Sequence, residues 1–243
     1  MFFAVQWTRS LLFTGQMYLM MAIIGTAYAP FAAVNRKWAY VAVHNYCNWV
    51  RWTASWMVGL KSEIRGKVPT DEVLLASKHQ SFFDIILIVS VIPKPKFIMK
   101  ASLKNAPFLG WYAAWLKCVP VDRGKKAEAI QKMLQDVTHG DSPPGQLVIY
   151  PQGTRVAPGA TKPYKIGTFA LYEETGQTVV PAATNVGVFW PRLGIYRKPG
   201  LAVVEFLEPI SPGLEKEEFM SHLEDVIETK AKALMNEAGF KVD

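Results

Sequence analysis

A histidine and an aspartate stand five positions apart in the stretch Ser77-Lys78-His79-Gln80-Ser81-Phe82-Phe83-Asp84. A carboxylate at that separation can curl back to the imidazole. It would accept from one ring nitrogen and leave the other free as a base. Serine proteases divide the work in this way, but here the nucleophile would be a hydroxyl of the substrate. The competing reading is a histidine that caps a turn, because His-x4-Asp alone arises often by chance. Two further turns carry arginines: Asp122-Arg123-Gly124 and Gln152-Gly153-Thr154-Arg155. An arginine fork suits phosphate, since it donates two hydrogen bonds in one plane. Gly153 would admit close backbone approach, and Thr154 adds a hydroxyl. One such arginine alone reads as a solvated surface charge; three such turns in order read as a site.

The elements around these turns place them at strand ends, where α/β sheets bind their ligands. Val73-Leu74-Leu75-Ala76 is a short apolar run without a breaker and predicts a buried strand ahead of His79. Ile85 onward to Ile92, stopped by Pro93, predicts a buried helix. Strands are expected at 96–100, 118–121 and 146–151, with an apolar helix opening at Ala106 and an amphipathic one over 125–139. A helix over 163–175, strands over 178–188 and 201–207, and a final amphipathic helix after Ser211-Pro212-Gly213 complete the pattern. Phe219, Leu223, Val226, Ile227 and Leu234 recur at helical spacing and should pack that helix on the sheet. The expected fold is α/β: a mixed sheet flanked by helices, preceded by a hydrophobic helical membrane-docking segment. Residues 1–60 form that segment and 61–243 the α/β domain.

The N-terminal stretch Ser10 to Val34 holds no charged residue and is long enough to span a bilayer, which takes roughly 20 apolar residues. It could cross, or enter one leaflet and return. A signal peptide, with Ala27-Tyr28-Ala29 as cleavage site, is disfavoured by Pro30 and by an n-region whose only charge is Arg9. Arg36 and Lys37 place the following domain on the cytoplasmic side under the positive-inside tendency. The next segment, Trp38 to Leu60, is rich in tryptophan and tyrosine but also polar; it suits a helix in the membrane interface or a core helix beneath the domain. The whole chain has 27 lysines and arginines against 20 aspartates and glutamates, a net charge of +7, which suits an anionic partner. Eight tryptophans and 50% hydrophobic residues favour a membrane over nucleic acid, for which no motif is present. Cys47 and Cys118 match no metal spacing and read as buried thiols.

Four blocks, taken in order, resemble the glycerolipid acyltransferase family, in particular its bacterial 1-acyl-sn-glycerol-3-phosphate acyltransferase (PlsC-type) branch. They are Lys78 to Asp84, Val119 to Gly124, Tyr150 to Arg155, and Val179-Val180-Pro181-Ala182. The resemblance implies acyl transfer to the sn-2 hydroxyl of lysophosphatidic acid, giving phosphatidic acid. The donor would be acyl-CoA or acyl carrier protein. His79 would be the general base, oriented by Asp84, with no acyl-enzyme. A free imidazole titrates near working pH, as that role needs. Arg123 and Arg155 would grip the phosphate, with Gly153 and Thr154 shaping the site. Lys100, Lys162 and Lys165 are further candidates for phosphate or donor contacts. No metal or cofactor is implied, and the place of work would be the cytoplasmic face of the bacterial inner membrane.

The chain departs from the family pattern twice. Lys78 stands where members often have asparagine, and Gln152 where the third block usually begins with glutamate. Glutamine keeps the shape and hydrogen-bonding capacity of that residue without its charge. The rival readings are an acyltransferase for another lyso-lipid, a membrane lipid-binding protein without activity, and a metal-dependent phosphoesterase. The last is opposed by four histidines that form no ligand cluster.

Overall fold

Leu75 and Val148 face one side of the sheet, and Leu74, Ala76, Leu147 and Ile149 face the other; all are buried. Strands covered on both faces read as continuous apolar runs, and these do. The computed structural model describes residues 2–122, 126–138 and 144–241. Two helices open the chain, α1 (Phe2–Val34) and α2 (Lys37–Met57). There follow β1 (Leu60–Arg65), β2 (Val73–Ser77), α3 (Phe83–Val89), β3 (Pro95–Lys100), α4 (Leu109–Trp115), β4 (Val119–Val121), α5 (Lys126–Thr138) and β5 (Gln146–Ile149). Last come α6 (Gly167–Thr175), β6 (Val179–Thr184), β7 (Gly200–Phe206) and α7 (Lys216–Glu237).

The strands among the described residues make one seven-stranded sheet in the order β1-β7-β6-β2-β5-β3-β4. From β6 to β4 all neighbours are parallel, whereas β7 runs antiparallel to β6 and β1 runs with β7. The sheet is therefore mixed and flanked by helices, as expected. The parallel block has a consequence for function. The C-terminal ends of β2, β5, β3 and β4 all open on one edge, with β2 beside β5.

One face carries α1, α2 and α3. Phe13 and Met17 of α1 and Cys47, Val50 and Ala54 of α2 share a cluster with Leu75, Phe83, Leu87, Val148 and Trp190. The opposite face carries α5, α6 and α7, with Phe219, Leu223 and Ile227 buried against Leu74 and Leu147, so the last helix packs on the sheet. Cys47 and Cys118 are free thiols, the first buried and the second half-buried.

The N-terminal helices form a hairpin, bonded between its two arms and to the domain at Gln6 and Gly25. The Gln6 amide donates to the carbonyls of Val58 and Arg197, and Arg9 donates to those of Trp56 and Met57. Mid-hairpin, Trp49 Nε1 donates to Gln16 Oε1 at 2.7 Å and the Gln16 amide donates to Thr53. Further on, Tyr112 of α4 donates to the Gly25 carbonyl at 3.0 Å. The helix α1 begins well before Ser10 and runs unbroken through Gly15, Gly25 and Pro30. It is the one helix among the described residues long and apolar enough to cross a membrane. It leaves Leu12, Leu19, Ile23 and Phe31 exposed, and α2 leaves Trp52 and Trp56 exposed. The inner face of α2 is buried, so this helix serves the core on one side and shows aromatic residues on the other.

Several boundaries differ from the expectations. The strand over 178–188 stops at Thr184, because Asn185 turns the chain: its Oδ1 accepts from Val203 N and its Nδ2 donates to Leu234 O. The helix over 163–175 starts only at Gly167, since 162–166 is drawn off to the candidate site. The helix opening at Ala106 begins at Leu109, after Phe108 adopts a positive φ of 59°. The helix to Ile92 ends at Val89, where Ser90 Oγ donates back to Leu87 O.

Candidate active site

β2 ends at Ser77, and the chain runs on extended for two residues between its neighbours. Lys78 N donates to Ala182 O in β6, and His79 O accepts from Val156 N in the segment after β5. The turn then closes on Asp84, in the first turn of α3. Asp84 Oδ1 lies 2.9 Å from His79 Nδ1, and Oδ2 accepts from the backbone of Gln80 and Ser81 at 2.8 Å each. The carboxylate is fully buried and has no donor capacity, so Nδ1 carries the hydrogen and Nε2 the lone pair. Among the described residues, no hydrogen-bond partner is found for Nε2. Ser81 Oγ accepts from Phe83 N at the helix start, a turn-closing role. Gln80 locks the turn from behind, its Oε1 accepting from Gly187 N.

The flat side of the imidazole rests on Tyr150, with ring centroids 3.9 Å apart and planes 17° from parallel. Tyr150 follows β5, so the strand next to β2 supplies a wall for the histidine. Burial pushes the Tyr150 phenol well above its ordinary range, reinforced by the charge of Asp84, so it is a neutral surface at any physiological pH. Spacing alone did not single out this residue as a partner of His79. Only the register that sets Ala76 against Ile149 brings the two together.

Beyond Pro151 the second turn carries Gly153, Thr154 and Arg155. Gly153 has φ 67°, and a side chain there would run into the ammonium end of Lys165. Lys165 N donates to Pro151 O at 2.9 Å, which fixes this lysine beside the glycine turn. Arg155 is half-buried one residue before Val156, the residue bonded to His79 O, and its Nη1 donates to Arg192 O at 3.3 Å. Thr154 is half-buried in the same turn. Lys162 sends its side chain to solvent, while its carbonyl accepts from Gln152 Nε2. Lys100 is exposed at the end of β3, on the same sheet edge but one strand further from His79. Arg123 lies outside the described residues. The structure thus brings His79, Asp84, Gly153, Thr154, Arg155 and Lys165 to two adjoining turns, and leaves Lys100 and Lys162 peripheral.

The two departures from the family pattern meet at one atom. Lys78 Nζ lies 2.6 and 2.8 Å from the two oxygens of Glu228 on α7, and Gln152 Nε2 lies 3.4 Å from Glu228 Oε1. Tyr164 donates to that oxygen at 2.9 Å. Nothing in local spacing marks Glu228, which reads as one polar position of an amphipathic helix.

A family model described as Acyltransferase matches residues 60–185, which contain all four blocks. A 1-acyl-sn-glycerol-3-phosphate acyltransferase from Pseudomonas aeruginosa is 28% identical over 174 residues, covering 71% of this chain and 67% of that protein. The protein of that description from Saccharomyces cerevisiae is 28% identical over 162 residues, 64% of this chain and 53% of its own length. The chain therefore matches about two thirds of the first relative and about half of the second. The crystal structure of the 1-acyl-sn-glycerophosphate (LPA) acyltransferase PlsC from Thermotoga maritima superposes with a TM-score of 0.76, covering 93% of this chain and 97% of that one. At 20% identity that likeness is one of fold. With the family match spanning more than half its length and every block in place, the chain belongs to the Acyltransferase family.

Proposed function

We propose that the protein transfers an acyl chain from acyl-CoA or acyl carrier protein to the sn-2 hydroxyl of 1-acyl-sn-glycerol-3-phosphate, forming phosphatidic acid. The observation that carries this reading is the imidazole of His79, held through Nδ1 by a buried carboxylate and lying one backbone hydrogen bond from the arginine-bearing turn. His79 Nε2 takes the proton of the acceptor hydroxyl as its oxygen attacks the thioester carbonyl. The tetrahedral intermediate collapses, the C–S bond breaks, and the thiolate recovers the proton from the imidazolium. Asp84 holds the tautomer and stabilises the imidazolium between these steps. No acyl-enzyme forms, and no metal or cofactor takes part. Arg155 and Arg123 grip the acceptor phosphate, with Gly153 and Thr154 shaping the turn and Lys165 adding charge.

The hairpin supports docking at one leaflet. Its inner face is bonded to the domain from Gln6 to Gly25, while its outer face offers leucine, isoleucine, phenylalanine and tryptophan to the acyl region and headgroups. We place the protein on the cytoplasmic face of the inner membrane, where an acceptor with an acyl chain can enter sideways.

Membranes carrying the protein, given labelled lysophosphatidic acid and either donor, should yield labelled phosphatidic acid. Product from a different lyso-lipid alone would move the protein to that acceptor. Arg155→Ala should raise the acceptor KM by about 10- to 100-fold, the range expected for losing a charged hydrogen bond, with a smaller change in kcat. An unchanged KM would remove Arg155 from the phosphate site.

A further inference from the structure

We propose that Glu228 is a positioning residue of the active site: its carboxylate fixes the turn that carries His79 against the turn that carries Arg155. The proposal rests on the reading of those turns as base and phosphate grip. Lys78 is 2% exposed, and a buried ammonium is tolerated only with a partner. Glu228 supplies it, from an element 150 residues further along the chain. Its Oε1 also collects the Tyr164 hydroxyl and the Gln152 amide. One oxygen thus gathers donors from the end of β2, from the turn after β5, and from the segment leading into α6.

The chain neighbours of those donors give the cluster its role. Lys78 immediately precedes His79. Gln152 lies two residues beyond Tyr150, on which the His79 ring stacks, and three before Arg155. Both flanks of the base are therefore tied to the same carboxylate, and so is the backbone that leads to the phosphate grip. The ammonium is buried and the carboxylate half-buried, and an ion pair drawn out of bulk water adds little stability over apolar side chains of the same size. It does add direction, because its hydrogen bonds admit one arrangement of the groups that make them. The distance from base to grip decides where the acceptor hydroxyl comes to rest, and catalysis by orientation is steep in that distance. Among the described residues Gln152 Oε1 is buried without a hydrogen-bond partner, so the amide is secured from its nitrogen side. A carboxylate at position 152 would sit beside the oxygen that Lys78 already binds.

The test uses the full chain in membranes or detergent and three variants: E228Q, K78M/E228L and Q152E/E228Q. Three quantities are read: kcat with lysophosphatidic acid, the melting temperature, and the rate at which diethyl pyrocarbonate modifies His79, followed by mass spectrometry. K78M/E228L replaces the pair with apolar groups and should melt close to wild type. Its kcat should fall on the order of 10²-fold, the scale of a misplacement of about 1 Å, and its His79 labelling rate should change. Q152E/E228Q moves the carboxylate onto the turn beside the same lysine and should recover most of the activity that E228Q loses. Wild-type kcat and wild-type labelling in K78M/E228L would overturn the proposal. Should that variant not fold, activity in Q152E/E228Q no higher than in E228Q would overturn it. If wild type itself does not turn over lysophosphatidic acid, the functional reading fails separately. The labelling rates, which need no acceptor, then decide the positioning: altered labelling supports it and equal labelling ends it.

Discussion

Replacing His79 by alanine should lower kcat by at least about 10²- to 10⁴-fold, the contribution of a positioned general base, with the fold retained. The expectation follows from what the ring touches. His79 is 9% exposed at the sheet edge, so its removal opens a space continuous with the site rather than a sealed cavity in the core. The strands on either side are held by backbone ladders that do not involve the side chain. Asp84 Oδ1 loses one donor, while Oδ2 keeps both backbone N–H groups. The melting temperature should therefore move little. Acceptor binding should also persist, because the phosphate grip lies on the neighbouring turn. Single-turnover measurements with saturating acceptor separate the two effects. Wild-type turnover in His79→Ala would end the general-base account; a large rise in acceptor KM with kcat unchanged would make His79 a binding residue instead.

Much of this arrangement is legible in the sequence, for reasons particular to each part. Val73 to Ala76 announces β2 because a parallel strand covered on both faces needs apolar residues at every position. His79 and Asp84 can be paired because they belong to one turn, and local geometry depends on local spacing. Gly153 announces a tight turn because only glycine takes a φ of 67° without cost. What escapes is tertiary. Tyr150 becomes a wall for His79 only through the pairing of β2 with β5. Lys78 looks like a surface charge until α7 brings Glu228 over it. The segment 162–166 has the composition of a helix start, but Tyr164 and the Lys162 carbonyl are drawn to Glu228 and Gln152 instead. The hairpin is legible as apolar, yet apolar surface serves a membrane and a core equally. The side that meets the domain is marked by polar groups such as the Gln6 amide and the Gly25 carbonyl, which find partners there.

Asp84 should be sensitive for both activity and stability, and two substitutions separate its two tasks. Asp84→Asn keeps volume and one carbonyl oxygen, but its amide must present N–H either to the imidazole or to the backbone of Gln80 and Ser81. If the N–H faces Nδ1, the ring is driven to the wrong tautomer, Nε2 carries the hydrogen, and the base is lost. An asparagine in the equivalent place of a serine-protease triad costs about 10⁴ in kcat for that reason, and a comparable loss is expected here. Asp84→Ala adds a stability effect. The side chain is fully buried, and its removal strands His79 Nδ1 and the Gln80 and Ser81 N–H groups. Each buried donor left without an acceptor costs about 1–3 kcal/mol, although solvent entering at the sheet edge would relieve part of it. The asparagine variant should thus melt above the alanine variant while both are inactive. Because His79 and Asp84 act as one unit, the double substitution His79→Ala with Asp84→Asn should be scarcely less active than His79→Ala alone. Losses that multiplied would mean that Asp84 acts on the reaction by a route other than the imidazole, and the pair would have to be separated in the mechanism.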